Sequence, residues 1–292
     1  MISGSLAATN TNTTRNNLTY INSVVSGATQ EGKFSTVVRE NQMDDNMAYI
    51  LSTTYGYSVT KNSDIMGSIG SYTIKWGEPA ESSGTILFNG LDPNNNGSYV
   101  SAPGETIATW LPGTGNFTVE WFQYQTQLTS HPRVFSIGPD TGAKYGVSIE
   151  SDTVYTWPGG NSYAIGKTYQ NTWIHVALVR TAGTTKCYID GTQVGTAQSN
   201  NVNISGSTYD FFIGADGLSS GDGFPGKITN FRWTNSAVYT GNFTKPSSPL
   251  TVLTNTKLLL LGGSARNPVV DSTGINTLTN FNTTWGSDSP FY

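Results

Sequence analysis

From residue 85 onward the chain is cut into short runs in which apolar and polar residues alternate, each closed by Gly, Asn, Asp or Pro. The runs are TILFNG, GSYVSAP, NFTVEWFQYQ, RVFSIG, YGVSIES, TVYTW, WIHVALVRT, TKCYIDGTQVGTA, DFFIGAD and GKITNFRWT. Side chains on a strand change face at every residue, so each run offers one apolar face. Many such runs, separated by turn signals, specify a sandwich or barrel and exclude a βαβ succession. No helical periodicity competes with this reading. Composition agrees with it: charged residues are only 12%, while the chain holds 33 Gly, 15 Tyr and 7 Trp.

Charge and hydropathy narrow the function classes. The formal net charge is −4 and there is no basic run, so nothing is available to displace counterions from a nucleic acid. No stretch of about 18 apolar residues exists for a membrane span. The opening MISGSLAATNTNTTRNN lacks the charged and apolar regions of a secretory leader, which points to synthesis in a cytoplasm. The single cysteine, Cys187, rules out an intrachain disulfide framework. In KCYIDG it alternates with Tyr188 and reads as a buried strand thiol.

The first part of the chain has a different texture. Residues 1–17 are small and polar, an arm that is flexible or ordered by a partner. Residues 18–77 read as a small α/β domain. Leu18, Ile21, Val24 and Val25 recur at helical spacing up to Gly27, and KFSTVVRE reads as a strand. Asp44 and Asp45 can cap a second helix through Met47, Ile50 and Leu51, stopped at Gly56. YSVTK and SYTIKW then form a hairpin. A unit of ~60 residues is marginal alone, so docking onto a partner would stabilise it. Residues 78–84 are a linker, 85–262 the β-sandwich, and 263–292 a tail packed on the sandwich or on a partner.

The run WIHVALVRTAGTTKCYIDGTQVGTA (173–197) resembles the central hairpin of the concanavalin A-like (laminin-G type) lectin/glucanase family. Ile174, Val176 and Leu178 form its inward row, His175 and Ala177 the outward one, and Asp190-Gly191 supplies a tight turn. A second match is FFIGADGLSSGDGFPGKITNFRWTNSAVYTGNF (211–243), with Ile213-Gly214 before a loop and Gly226 before the last strand. The closing AVYTGNFTKPSSPL and TKLLLL resemble virion proteins carrying such domains. The opening LFNGLDPNNNGSYVSAPG resembles the family's first strands with an Asn-rich insertion. The resemblance implies a mainly β protein, an antiparallel jelly-roll sandwich, preceded here by the small α/β domain. Residues 18–77 are similar to small domains in structural proteins of cyanobacterial phages and large algal viruses.

Candidate sites follow from chemistry and from the resemblance. Sugar binding needs an exposed aromatic face beside hydrogen-bonding groups. TVYTWPGGNSY offers Tyr155, Trp157, Asn161 and Tyr163 around a Pro-Gly-Gly turn, with Trp157 best placed for exposure; a core position is the alternative for Tyr155. Calcium is the ion the resemblance implies, held by hard oxygen ligands. Candidates are Asp92, Asn94 and Asn96 in the first loop and Asp216 and Asp222 in the 215–225 loop; an Asx-rich turn without metal is the competing reading. A glucanase of this family carries E-x-D-x-x-E on one strand, whereas ESDTVY has Glu150 and Asp152 but Tyr155 at the third position. Glu120 has no acidic neighbour two residues on, and His131 and His175 lack a local acid. The expectation is a binding module and not an enzyme.

Together these readings describe a virion structural or decoration protein. Its N-terminal domain would attach to other virion proteins of capsid or tail, and its lectin-like sandwich would face outward at the virion surface. A host-glycan-binding tail or fibre adhesin is the first alternative. A glycoside hydrolase with displaced carboxylates is the second.

Overall fold

The computed structural model describes residues 42–44, 58–66, 69–75, 84–138, 145–205, 209–217, 223–264 and 267–291. The chain divides into two compact units, Met1–Glu81 and Ser82–Tyr292. In the first unit, β1 (Gln42–Asp44), β2 (Ser58–Met66) and β3 (Ile69–Lys75) form an antiparallel sheet in the order β1-β3-β2. The expected hairpin is there, with longer strands than the sequence suggested. Register shifts at Lys61/Ser63 and Asp64/Met66 absorb the polar NSD stretch that reads as loop. The two expected helices and the KFSTVVRE strand lie outside the described residues, except Asp44, the expected helix cap, which ends strand β1.

The second unit is built from two antiparallel sheets. One runs β10 (Asn161–Ala164), β9 (Thr153–Trp157), β8 (Tyr145–Glu150), β7 (Arg133–Ile137), β14 (Phe211–Ile213), β5 (Tyr99–Ala102) and β17 (Thr279–Phe281). The other runs β13 (Thr192–Ser199), β12 (Thr184–Ile189), β11 (Trp173–Thr181), β6 (Phe117–Gln125), β15 (Pro225–Thr234), β4 (Thr85–Asn89) and β18 (Thr284–Gly286). Its eighth strand, β16 (Thr256–Leu260), lies beside the end of β15. A bulge around Asn230, whose φ is 53°, lets the first half of β15 pair with β4 and the second half with β16. This is the mainly β sandwich expected from the alternating runs. Among the described residues no helix is long and apolar enough to cross a membrane.

Aromatic rings fill the space between the sheets. Phe117 stacks on Trp233 and Trp121 on Phe231, and Phe135 meets Trp121, Phe231 and Trp233 edge-on. Offset and edge-to-face contacts of this kind suit the ring quadrupoles and bury large apolar areas. Cys187 is buried among them.

The tail stitches one edge of the sandwich. β17 adds to β5, the chain turns at Asn282, and β18 adds to β4 in the opposite sheet. Short paired strands leave little exposed ladder. At the other edge β10 approaches β13, where a side chain on Gly195 would run into the Tyr163 backbone.

The outer face of the eight-stranded sheet is covered. Residues 235–255 cross it as a strap. Ala237, Tyr239 and Phe243 pack on Ala177, Val179 and Tyr188, and the Tyr239 and Phe243 rings stack at 3.6 Å. Phe291 of the tail meets Phe122 on the same face. His175 and Ala177, outward by alternation, are therefore fully buried. The tip of the β12–β13 hairpin receives the strap: Phe243 N donates to Gly191 O at 2.9 Å. Asp190 and Gly191 have φ of 49° and 82°, as the tight turn requires. A Cβ at Gly191 would lie 1.9 Å from the Phe243 carbonyl oxygen.

Beneath the strap sits a charge network. Glu120 is fully buried. Its Oε1 accepts from Arg232 Nε at 3.0 Å and Nη2 at 2.5 Å. Its Oε2 lies 3.0 Å from His175 Nε2 and accepts from the Tyr239 hydroxyl at 2.8 Å. Arg232 Nη1 donates to Thr251 O at 2.8 Å, so the network grips the strap at two points. Burial by itself would raise the Glu120 pKa, but the hydrogen bond to His175 and the charge of Arg232 outweigh it and hold the carboxyl below its ordinary 4.5. The native state therefore binds this proton less readily than the unfolded chain. The network's contribution is full above the unfolded value and is lost as pH falls through the folded one. Glu120→Ala, which leaves Arg232 buried without its carboxylate, should cost about 3–5 kcal/mol in urea unfolding. Glu120→Gln should flatten the decline of stability between about pH 5 and 3 relative to the wild type.

Candidate functional site

The outer face of the seven-stranded sheet is covered over its middle, where Ser136, Gly146 and Ser148 are buried and Ser136 Oγ donates to Ala215 O at 3.2 Å, and is exposed at its β9–β10 end. Register defines what it presents. Trp157 lies opposite Gly146, Tyr155 opposite Ser148 and Ser162, and Thr153 opposite Glu150. Arg133 on β7 pairs with Ser148. Since paired residues share a face, Trp157, Tyr155, Ser148, Glu150, Ser162 and Arg133 form one patch.

Each member is held by a local cause. A Cβ on Gly146 would come 2.1 Å from the Trp157 ring, so the glycine is what lets the indole lie across β8. The Arg133 guanidinium lies 4.2 Å from the centre of that ring, a cation–π contact. Arg133 Nε lies 3.6 Å from Asp216 Oδ2, and both side chains are buried. Tyr155 is 38% exposed. At the far end of β8, Glu150 Oε1 accepts from the Ser148 hydroxyl at 3.1 Å and lies 3.8 Å from His131 Nε2. The patch thus combines a half-buried indole, an exposed phenol, the exposed Ser162 hydroxyl and a partly exposed carboxylate, with Ser148 buried beneath them.

The structure brings Tyr155 and Trp157 together, with Tyr155 outward. The other two sugar candidates fall elsewhere. Tyr163 pairs with Val154 and is fully buried in the core. Asn161 shares the row of the buried Thr156, and its Nδ2 donates to Ser199 O at 3.4 Å, bridging to the other sheet. The Pro-Gly-Gly turn brings both residues close in sequence, but the strand period puts them on the wrong side.

The described calcium candidates fall in two places, the loop at 92–96 and the side of Arg133 where Asp216 lies. Asp92 caps a 3-10 turn over Pro93–Asn95: Oδ1 accepts from Asn94 N, and its carbonyl accepts from Asn95 N and Gly97 N, all at 2.8 Å. Asn96 closes the turn at φ 59°, its carbonyl taken by Asn89 Nδ2. Asp92 thus builds an Asx turn in which its Oδ1 and carbonyl oxygen accept from backbone N–H groups. Asp216 lies against Arg133, a cation already in place. Asp222 lies outside the described residues. Among the described residues no three His, Cys, Asp or Glu side chains group to hold a metal.

Alternation alone does not reveal the Glu120 network, because its partners come from three distant segments. The sequence signal available was Glu120 and Arg232 as the charged residues inside otherwise apolar strands. Glu120 cannot meet a substrate where it sits. Glu150 ends β8 and Asp152 lies beyond it in the turn, after Ser151 at φ 48°, so these carboxylates do not share one strand face.

Two antiparallel sheets packed through aromatic rings define a lectin-like β-sandwich. Residues 94–240, half of the chain, match the laminin G-type model described as the concanavalin A-like lectin/glucanases superfamily, and the chain belongs to that superfamily. A proposed carbohydrate-binding protein from Bacteroides ovatus is similar in structure, with a TM-score of 0.53 at 18% identity over 79% of this chain and 67% of that one. The heptameric SAP-like pentraxin of Limulus polyphemus has a TM-score of 0.50 at 14% identity over 70% of this chain and 95% of that one. No curated protein matches the chain by sequence.

Gly146→Val should displace the indole of Trp157. The Trp157 Nε1–H resonance, identified by its loss in Trp157→Phe, should move in the variant's nitrogen–proton spectrum. An unmoved resonance would mean that the glycine does not support the ring.

Proposed function

We propose that the protein is a carbohydrate-binding adhesion module and that the open face of its seven-stranded sheet takes the saccharide, with Trp157 and Tyr155 as the aromatic contacts. The observation that carries this reading is the asymmetry of the sandwich. One sheet spends its outer face on the strap, while the β9–β10 end of the other presents Tyr155 and the half-buried Trp157 beside Ser162 and Glu150. Aromatic rings pack against the C–H faces of a sugar, and neighbouring polar groups set its orientation. The Bacteroides ovatus protein, with its proposed carbohydrate binding, supports the same reading. The module binds without turnover in this proposal, since Glu120 is sealed under Tyr239.

The proposed setting is the surface of a virus particle, where the chain is a structural or decoration protein made in the host cytoplasm. Residues 18–77 would attach it to capsid or tail proteins, and the sandwich would meet host glycans. This rests on the resemblance of residues 18–77 and 237–261 to segments of virion proteins.

A glycan array with the whole chain should return binding, and Trp157→Ala should weaken it by about thirty-fold, roughly 2 kcal/mol. A blank array would end the saccharide reading. Deleting residues 1–77 should abolish incorporation into particles of the source virus. Particles that still carry the truncated chain would overturn the division of labour.

A further inference from the structure

The chemistry of the open face, together with the proposed saccharide site, points to the class of glycan it takes. Glu150 stands on the same face as Tyr155, one pleat repeat along β8 from the Ser148 that faces the tyrosine ring. Diagonal neighbours of this kind lie roughly 7–8 Å apart, within reach of a sugar resting on the ring. Its side chain is 23% exposed, open enough to contact a ligand. Ser148 and His131 steady it from two sides. A carboxylate accepts hydrogen bonds only, and sugar hydroxyls donate to it with charge assistance.

Among the described residues the basic side chains at the patch are the buried Arg133 and the exposed His131, which lies 3.8 Å from Glu150. The guanidinium of Arg133 is turned under the Trp157 ring and faces Asp216. Asp152, in the turn after Glu150, adds a second carboxylate at that end and accepts from the Thr153 hydroxyl. A ligand carrying its own carboxylate or sulfate would meet like charge from Glu150 and Asp152, with His131, 3.8 Å from Glu150, as the exposed basic side chain nearby among the described residues.

We infer that Glu150 makes the site selective for neutral saccharides over acidic ones. Sugar hydroxyls donate to Glu150, and uronate, sialate or sulfated units are repelled by it. The inference rests on the saccharide reading above.

The test is titration calorimetry of the full chain, and of its Glu150→Gln variant, with a matched pair of oligosaccharides. The best neutral glycan from the array is compared with the same glycan carrying one carboxylate. The wild type should prefer the neutral member by about ten-fold, or about 1.4 kcal/mol. The preference should shrink as salt rises from 0.05 to 0.5 M (these being roughly the ranges over which the Debye length falls through molecular dimensions). Glu150→Gln keeps an acceptor for Ser148, so the fold is preserved, and it should bring the two affinities within about three-fold. A merely structural glutamate would not give a salt-dependent preference. An equal or tighter acidic ligand, or a preference unchanged in Glu150→Gln, would overturn the role of Glu150 and leave the saccharide site standing. Failure of the wild type to bind either member, at any salt, would overturn both.

Discussion

Burial of the Glu120 carboxylate decides which side of the sandwich is free. A charge taken out of water needs strong partners, and Glu120 takes Arg232, His175 and Tyr239. Tyr239 belongs to the strap, and the strap can deliver its hydroxyl only by lying flat on the eight-stranded sheet. Phe243 then packs behind it, its backbone seated against Gly191. The outer rows of β6 and β11 become a second, smaller core. Burial of this face is why both strands carry apolar residues on each side. On the seven-stranded sheet the buried carboxylate is Asp216, held against Arg133 over the middle of the sheet, and the β9–β10 end stays exposed.

The open face uses the same alternation for a different end. On β9, Val154 and Thr156 point inward while Tyr155 and Trp157 point outward. The missing side chain at Gly146 makes room for the indole, and the buried pair of Arg133 and Asp216 lies beside it. A rigid aromatic surface costs little conformational entropy when a ligand binds. The position of Trp157 is set by the sheet beneath it, not by a loop.

Much of the sandwich was legible because period-two alternation and turn residues are local signals. The Asp190-Gly191 turn, the WIHVALVRT strand and the GKITNFRW strand could be read directly. Three things could not. The burial of His175 and Ala177 depends on a strap more than sixty residues downstream. The pairing of Glu120 with Arg232 joins residues from separate strands, and nothing in either strand announces the other. The sidedness of Asn161 and Tyr163 depends on hairpin register, which a one-residue change would invert. For the same reason Tyr155 and Trp157, two apart on one strand, could be expected to act together. The Asn-rich first loop reads two ways because Asp and Asn serve both metals and turns, and the hydrogen bonds of Asp92 form the turn.

The most direct measurement is a nitrogen–proton NMR titration of the assigned protein with a glycan that binds it. The account predicts that amide shifts concentrate on residues 146–150 and 153–157 and on the Trp157 indole, with the strap residues 236–250 unmoved. Shifts confined to the strap, or to the turn at residues 92–97, would place the ligand elsewhere and contradict the assignment of the open face.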